Sequence, residues 1–350
     1  MSRGRTLTER ELNRALLARQ LLLERSKLSL PKVLDRMGTL QAQYAPSMYI
    51  GLWSRMEAFV RDRLDEALVR RRVAQGTLMR ATIHLVSQQD YWPAAIGIRR
   101  GRREAWLNTS YRREYSAAQM SAAARKLRGR LGEGTMARKE IHELLGSDSV
   151  VTNGVNMWID LVRVPPSGTW ERRRADLYAA AEHWLGPPPG KLDELDGIEL
   201  LVRRYLGGFG PASVDEIGNW AGLHPKRLAA AIERAKLRRF AAEDGAELLD
   251  LPRAPLPDPE TPAPVRFLPT WDATLLVHAR RTGILPEEHR PKVFNTKTPQ
   301  SVSTFLVDGR VAGTWRYEKG KVKTEPFGRL DSAAKREVRQ EGERLAELHA

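Results

Sequence analysis

The sequence predicts a mainly helical α+β chain: three tandem winged-helix units followed by a C-terminal antiparallel β meander. Three observations predict it. The order helix, turn, helix, hairpin is written clearly at 210–252 and again at 134–186. Seven prolines crowd residues 251–269, forbidding helix and central strand alike. Beyond them "STFLVDGRVAGTWRYEKGKVKTEPF" alternates apolar and polar residues, the two-residue period of a half-buried sheet.

From the N-terminus, helices are expected over 8–23 and 31–38, the second opened by Ser29 and Pro31. An extended patch at 39–45, helices near 47–59 and 62–72 and strands around "GTLMRATIHLV" complete a first, less regular unit, residues 1–95. The second unit, 96–190, begins with a basic connector. It continues with a helix over 138–145 stopped by Gly146, a helix near 153–161, and "LVRVPPSGTWERR" as strand, tip and returning strand. In the third, 191–252, Ser213 caps a helix over 214–221, Gly222 turns the chain, Pro225 starts a helix to 236, and two strands meet at Asp244-Gly245. The last segment, 253–350, carries the proline linker, a three-stranded meander with turns at Asp308-Gly309 and Lys319-Gly320, and a helix capped by Asp331.

Composition narrows the function. Fifty-eight basic against 43 acidic residues give +15 and a pI near 10.2, a balance that calls for a polyanionic partner. Forty-five of the basic residues are arginine, which suits bidentate phosphate contact and equally suits a genome rich in arginine codons. The absence of cysteine excludes disulfides, thiolate zinc sites and cysteine nucleophiles, and the seven histidines show no metal-ligand spacing. No apolar run approaches the roughly 20 residues of a membrane span, and "MSRGRTLTER" lacks a signal-peptide core, so an intracellular, reducing compartment is expected; the protein is expected to be cytoplasmic, nucleoid-associated and a monomer. Neither metal nor cofactor is expected.

Double-stranded DNA is the polyanion that tandem winged helices suggest. Residues 97–130 hold ten Arg/Lys against two Glu, with Trp106, Tyr111 and Tyr115 among them; Arg99, Arg100, Arg102 and Arg103 are the candidate phosphate contacts, the alternative being a solvated helix face or a connector. A sequence-reading repressor fits less well, because arginine is spread through all segments instead of one recognition helix.

"TLQAQYAPSMYIGLWSRM" holds Gln41 and Gln43 on either side of Ala42. Pro46 discourages helix just before it, and on an extended backbone side chains at i and i+2 share a side. Two carboxamide oxygens held together accept both hydrogens of one water without adding charge. Such a pair positions a nucleophile but deprotonates it poorly, and so suits a reaction whose leaving group needs no help.

Together with "TLMRATIHLV", "GFGPASVDEIGNWAGL", "RFLPTWDATLLVHARRTGILPEEHR" and "STFLVDGRVAGTWR", this stretch resembles the bacterial winged-helix DNA glycosylases of the azinomycin-resistance type, in order and over nearly the whole chain. The resemblance implies a C-shaped, concave DNA-binding body of three winged helices and assigns catalysis to Gln41 and Gln43. A second branch of that family carries Asp at the second polar position; Gln43 aligns this chain with the branch associated with bulky natural-product adducts and crosslinks. The implied substrate is DNA with alkylated or crosslinked purines. N7 alkylation makes the purine cationic and weakens the glycosidic bond, and no lysine is nominated as a Schiff-base former, so a monofunctional enzyme leaving an abasic site is expected. Arg55, Arg80, His84, Trp271, Asp272, His278 and Arg281 fall on polar or aromatic positions of the matching segments as candidate DNA contacts. Each keeps an ordinary alternative: a structural histidine at 84, domain packing at Trp271, an Asp272–Arg281 ion pair. The competing reading is a non-catalytic winged-helix regulator or lesion-binding resistance factor.

Overall fold

Capping chemistry sets the start of the first helix. Thr8 accepts from the Glu11 amide while the Glu11 carboxylate takes the Thr8 amide, and Glu9–Arg19 follows. The computed structural model describes residues 5–109, 112–275, 278–295 and 300–350; Tyr111 lies outside them. The architecture is mixed α+β. Leu30–Met37 carries Pro31 in its first turn and ends at Gly38, whose φ of +76° is the left-handed value a helix stop requires. The next helix, Ala45–Trp53, is shorter than expected because the chain turns at Ser54 and bridges Met56 to Ser26.

A six-stranded antiparallel sheet runs in the order Leu40–Gln41, Ile83–Ser87, Val73–Thr77, Leu161–Arg163, Leu177–Ala180, Met136–Ala137. Strands from the first two expected units thus pair directly, Gly76 opposite Val162. The expected helix near 153–161 lies instead at Ser149–Gly154 with a 3-10 turn over Val155–Met157. Asp148 starts it early by accepting from the Val150 and Val151 amides at 2.7 and 3.1 Å. The returning strand also starts later than expected, because Gly168 closes a tight turn onto the Arg172 carbonyl and Arg172–Arg174 extend the loop beyond it.

Gln88–Leu107 is one helix that crosses Glu194–Phe209 at two glycines: a Cβ on Gly97 would sit 2.6 Å from the Gly197 carbonyl carbon, and one on Gly197 would run into the Pro93 carbonyl oxygen. Glu194–Phe209 is followed by Val214–Ala221, Pro225–Ala235 and the hairpin Arg238–Ala242/Glu247–Asp250, to which Thr6–Leu7 adds a parallel strand. Ser213 and Glu216 form the capping box that the sequence signalled.

The proline segment is held, not loose. Its prolines have no amides to satisfy, and its carbonyls take donors from the first helix: Arg19 to Pro255 at 2.9 Å and Arg14 to Thr261 at 2.7 Å. Arg266–Leu268 then adds a fourth strand to Thr304–Val307, Arg310–Glu318 and Lys321–Pro326, and Ser332–His349 packs on that sheet with Asp331 as its cap. Among the described residues no helix is long and apolar enough to cross a membrane.

Candidate active site

Gln41 closes the edge strand of the six-stranded sheet, paired with His84, and the Ala42 amide adds one more bond to the Ile83 carbonyl at 2.7 Å. Ala42 is fully buried, Gln41 half-buried and Gln43 exposed. Strand pairing thus covers Leu40 and Gln41, with Ala42 turned to the core and Gln43 at the surface where the bend begins. Arg163 donates to the Ala42 carbonyl at 3.2 Å, and the chain bends at Gln43–Tyr44 before Ala45 starts a helix. Among the described residues no hydrogen bond involves the Gln43 side chain.

The turn Met79–Ala81 faces this edge. Arg80 and Ala81 both adopt left-handed backbone, φ +52° and +57°, which costs a non-glycine residue about 1 kcal/mol or more. Arg80 donates to Gln41 Oε1 at 3.2 Å and to the Trp220 carbonyl at 2.6 Å. Gly222 permits that approach: a Cβ there would lie 3.0 Å from the Arg80 amide nitrogen. Burial lowers the Arg80 pKa. Beside the turn lies a cavity of about 330 Å3 whose lining includes Leu78, Arg80, Ile98, Trp106 and Gly222.

Two buried histidines lie on this side of the protein, His84 opposite Gln41 in the sheet and His278. Burial, then the Arg80 charge, pushes His84 down to about 3. His278 lies edge-on to the Tyr205 and Phe209 rings, 5.3 and 5.2 Å between centroids, and is held well below its usual value by burial and by Arg80. Both sit inside the protein, so a hydrogen-bonded or packed interior role fits them and direct DNA contact does not.

Several other candidates are committed internally. Arg55 is fully buried and holds Asp272 with both Nη atoms, at 2.9 and 2.8 Å; this is the partner of Asp272, and Arg281 instead grips Glu216 at 2.8 Å and the Phe209 and Pro211 carbonyls. Arg99 and Arg102 share Asp160 at 2.7 and 2.5 Å, and Arg103 caps the Met157 and Trp158 carbonyls. Arg100 alone of that quartet is largely exposed, beside Glu104. Trp271 is half-buried with left-handed backbone, its amide bonded to the Ser301 hydroxyl. Arg55 and Arg102 are buried and Arg281 is largely so, all on protein partners, so phosphate contact by them does not fit the geometry, while Arg99 and Arg103 are half-buried and already held by protein acceptors.

The fold brings up residues that the sequence alone did not single out. Arg172, Arg173 and Arg174 are consecutive and exposed on the loop between sheet strands, and Arg173 donates to the Tyr44 hydroxyl at 3.1 Å, next to Gln43. Tyr44 is itself 43% exposed. The signal was the run "ERRR" at a loop tip. Among the described residues no acidic or histidine cluster forms a metal site.

No curated protein matches the sequence. Among solved structures the fold is similar to the DNA glycosylase AlkZ of Streptomyces sahachiroi, with a TM-score of 0.82 at 19% identity over 98% of this chain and 97% of that one. The profile of AlkZ-like DNA glycosylases matches residues 34–348, and the chain belongs to that family.

Proposed function

We propose that the protein is a monofunctional DNA repair glycosylase acting on N7-alkylated purines, bulky adducts or interstrand crosslinks among them, and leaving an abasic site. The observation that supports this reading is the Gln41-Ala42-Gln43 stretch at the sheet edge: a buried alanine between a half-buried and an exposed glutamine, with a basic loop beside them. Water attacks C1′ of the sugar as the bond to N9 breaks. The bond's electron pair neutralises the cationic purine, which departs as the free alkylated base, and the surplus proton of the water passes to solvent. The carboxamides orient that water and offer dipoles to the oxocarbenium-like sugar. No acid is needed, and the interior histidines, held neutral, supply none.

In this reading the helices and hairpin from Glu194 to Asp250 form one winged helix, and the two units sharing the six-stranded sheet form the others. Arg100 and Arg172–Arg174 are the backbone contacts, and the protein works as a cytoplasmic monomer. The test is a duplex carrying one N7-alkylguanine: free alkylated base appears by mass spectrometry, and the strand breaks at that position only after alkali. Tight binding without base release would favour a lesion-binding factor.

A further inference from the structure

We infer that Arg80 is a positioning residue that gives the two glutamines different tasks, a deepening that rests on the glycosylase reading above. Arg80 has five donors and no acceptor, so the carboxamide atom facing it must be the oxygen of Gln41, whatever rotamer of the amide is drawn. Gln41 therefore turns its carbonyl inward and presents its NH2. Gln43, exposed and unpartnered among the described residues, offers the free carbonyl. Water is thus accepted at Gln43, while Gln41 acts as a donor, its N–H polarised by the cation behind its oxygen.

Three features hold the clamp in place. Arg80 is anchored at its other Nη by the Trp220 carbonyl, so it is not a loose side chain free to swing to a phosphate. Its backbone and that of Ala81 stay left-handed, strain that persists only where the surroundings enforce it. Gly222 lies against its amide, locking the turn to the helix Val214–Ala221. The motif on one unit is thereby set, through Arg80, by a carbonyl 140 residues beyond that arginine on another.

The test uses the full-length protein and a duplex with one bulky N7-alkylguanine adduct, in single-turnover mode. Arg80→Met is expected to slow excision about 100-fold, the penalty of a misplaced group, with duplex affinity and its salt dependence unchanged; Arg80→Lys, which reaches one acceptor but not both, falls between. Should Arg80→Met fail to fold, the glutamines decide. Gln43→Glu keeps an acceptor and retains most of the rate, whereas Gln41→Glu pairs with Arg80, loses its donor and drops about 100-fold or more. A full rate in Arg80→Met with weakened, less salt-dependent binding makes Arg80 a phosphate contact and overturns the inference. Equal loss in both Glu variants, or tolerance at Gln41 alone, also overturns it. No base release by the wild type defeats the glycosylase reading itself, and this inference with it.

Discussion

Asp272→Asn separates an internal role for the Arg55 pair from a DNA-binding one. The substitution is isosteric and removes the carboxylate charge set against a fully buried guanidinium. In the native protein Arg55 donates to both Asp272 oxygens at 2.9 and 2.8 Å, to the Thr274 hydroxyl at 2.7 Å and to the Gly51 carbonyl at 2.9 Å. Asparagine keeps one acceptor but turns an NH2 against the cation. The side chains are 0% and 2% exposed, so water cannot screen the loss. Breaking one partner of a buried pair costs about 3–5 kcal/mol. Urea unfolding followed by tryptophan fluorescence measures it, and anisotropy with a labelled duplex measures binding at constant salt. The expected result is that stability loss with affinity unchanged, and substantial recovery in the apolar double variant Arg55→Met/Asp272→Leu. A loss under about 1 kcal/mol, the size of a surface pair, together with weaker DNA binding would refute the reasoning and return Arg55 to the DNA.

Stability should fall on acidification below pH 6.5. His84 and His278 stay neutral in the fold, at about 3 and well below the usual value, while the unfolded chain protonates them, so each removes up to about 1.4 kcal/mol per pH unit as pH drops toward its folded value; urea midpoints from pH 7 to 5 in wild type and His84→Gln check this, and a flat profile would contradict it. Replacing Arg172, Arg173 and Arg174 with Ser should weaken binding to every duplex alike and flatten the log–log salt dependence by about 0.9 for each phosphate no longer neutralised; weaker affinity for only one sequence would point to base reading instead. Gln43→Asp should extend excision toward small N7-alkyl lesions, since a carboxylate steadies a less activated sugar cation; an unchanged or inactive variant on N7-methylguanine counts against it.

Local chemistry was legible in the sequence where neighbours decide it. Pro46 signalled the extended approach that the structure has at Leu40–Gln41, and Ser213, Gly222 and Asp331 marked helix ends that the structure keeps. Partners far apart in the chain were not legible. Arg55 finds Asp272 across 217 residues, and Gly76 opposite Val162 joins two expected units into one sheet. Nothing in either segment alone announces its mate. The inward turn of Arg99 and Arg102 has a cause that the sequence did contain: they share the face of Ala95, Ile98 and Trp106 at helical spacing, so a long helix turns them toward Asp160, with Arg103 on its flank. The "ERRR" run was visible, but its proximity to Tyr44 and Gln43 depends on the loop that follows Gly168.

Excision of N7-alkylguanine by Gln41→Ala and Gln43→Ala under single-turnover conditions, with duplex affinity measured in parallel, tests the central claim most directly. The carboxamide pair orders water and contributes little to electrostatic binding, so each variant should lose about 100-fold or more in rate while binding the duplex as the wild type does. Wild-type rates in both variants would contradict the account and remove the two glutamines from the chemistry.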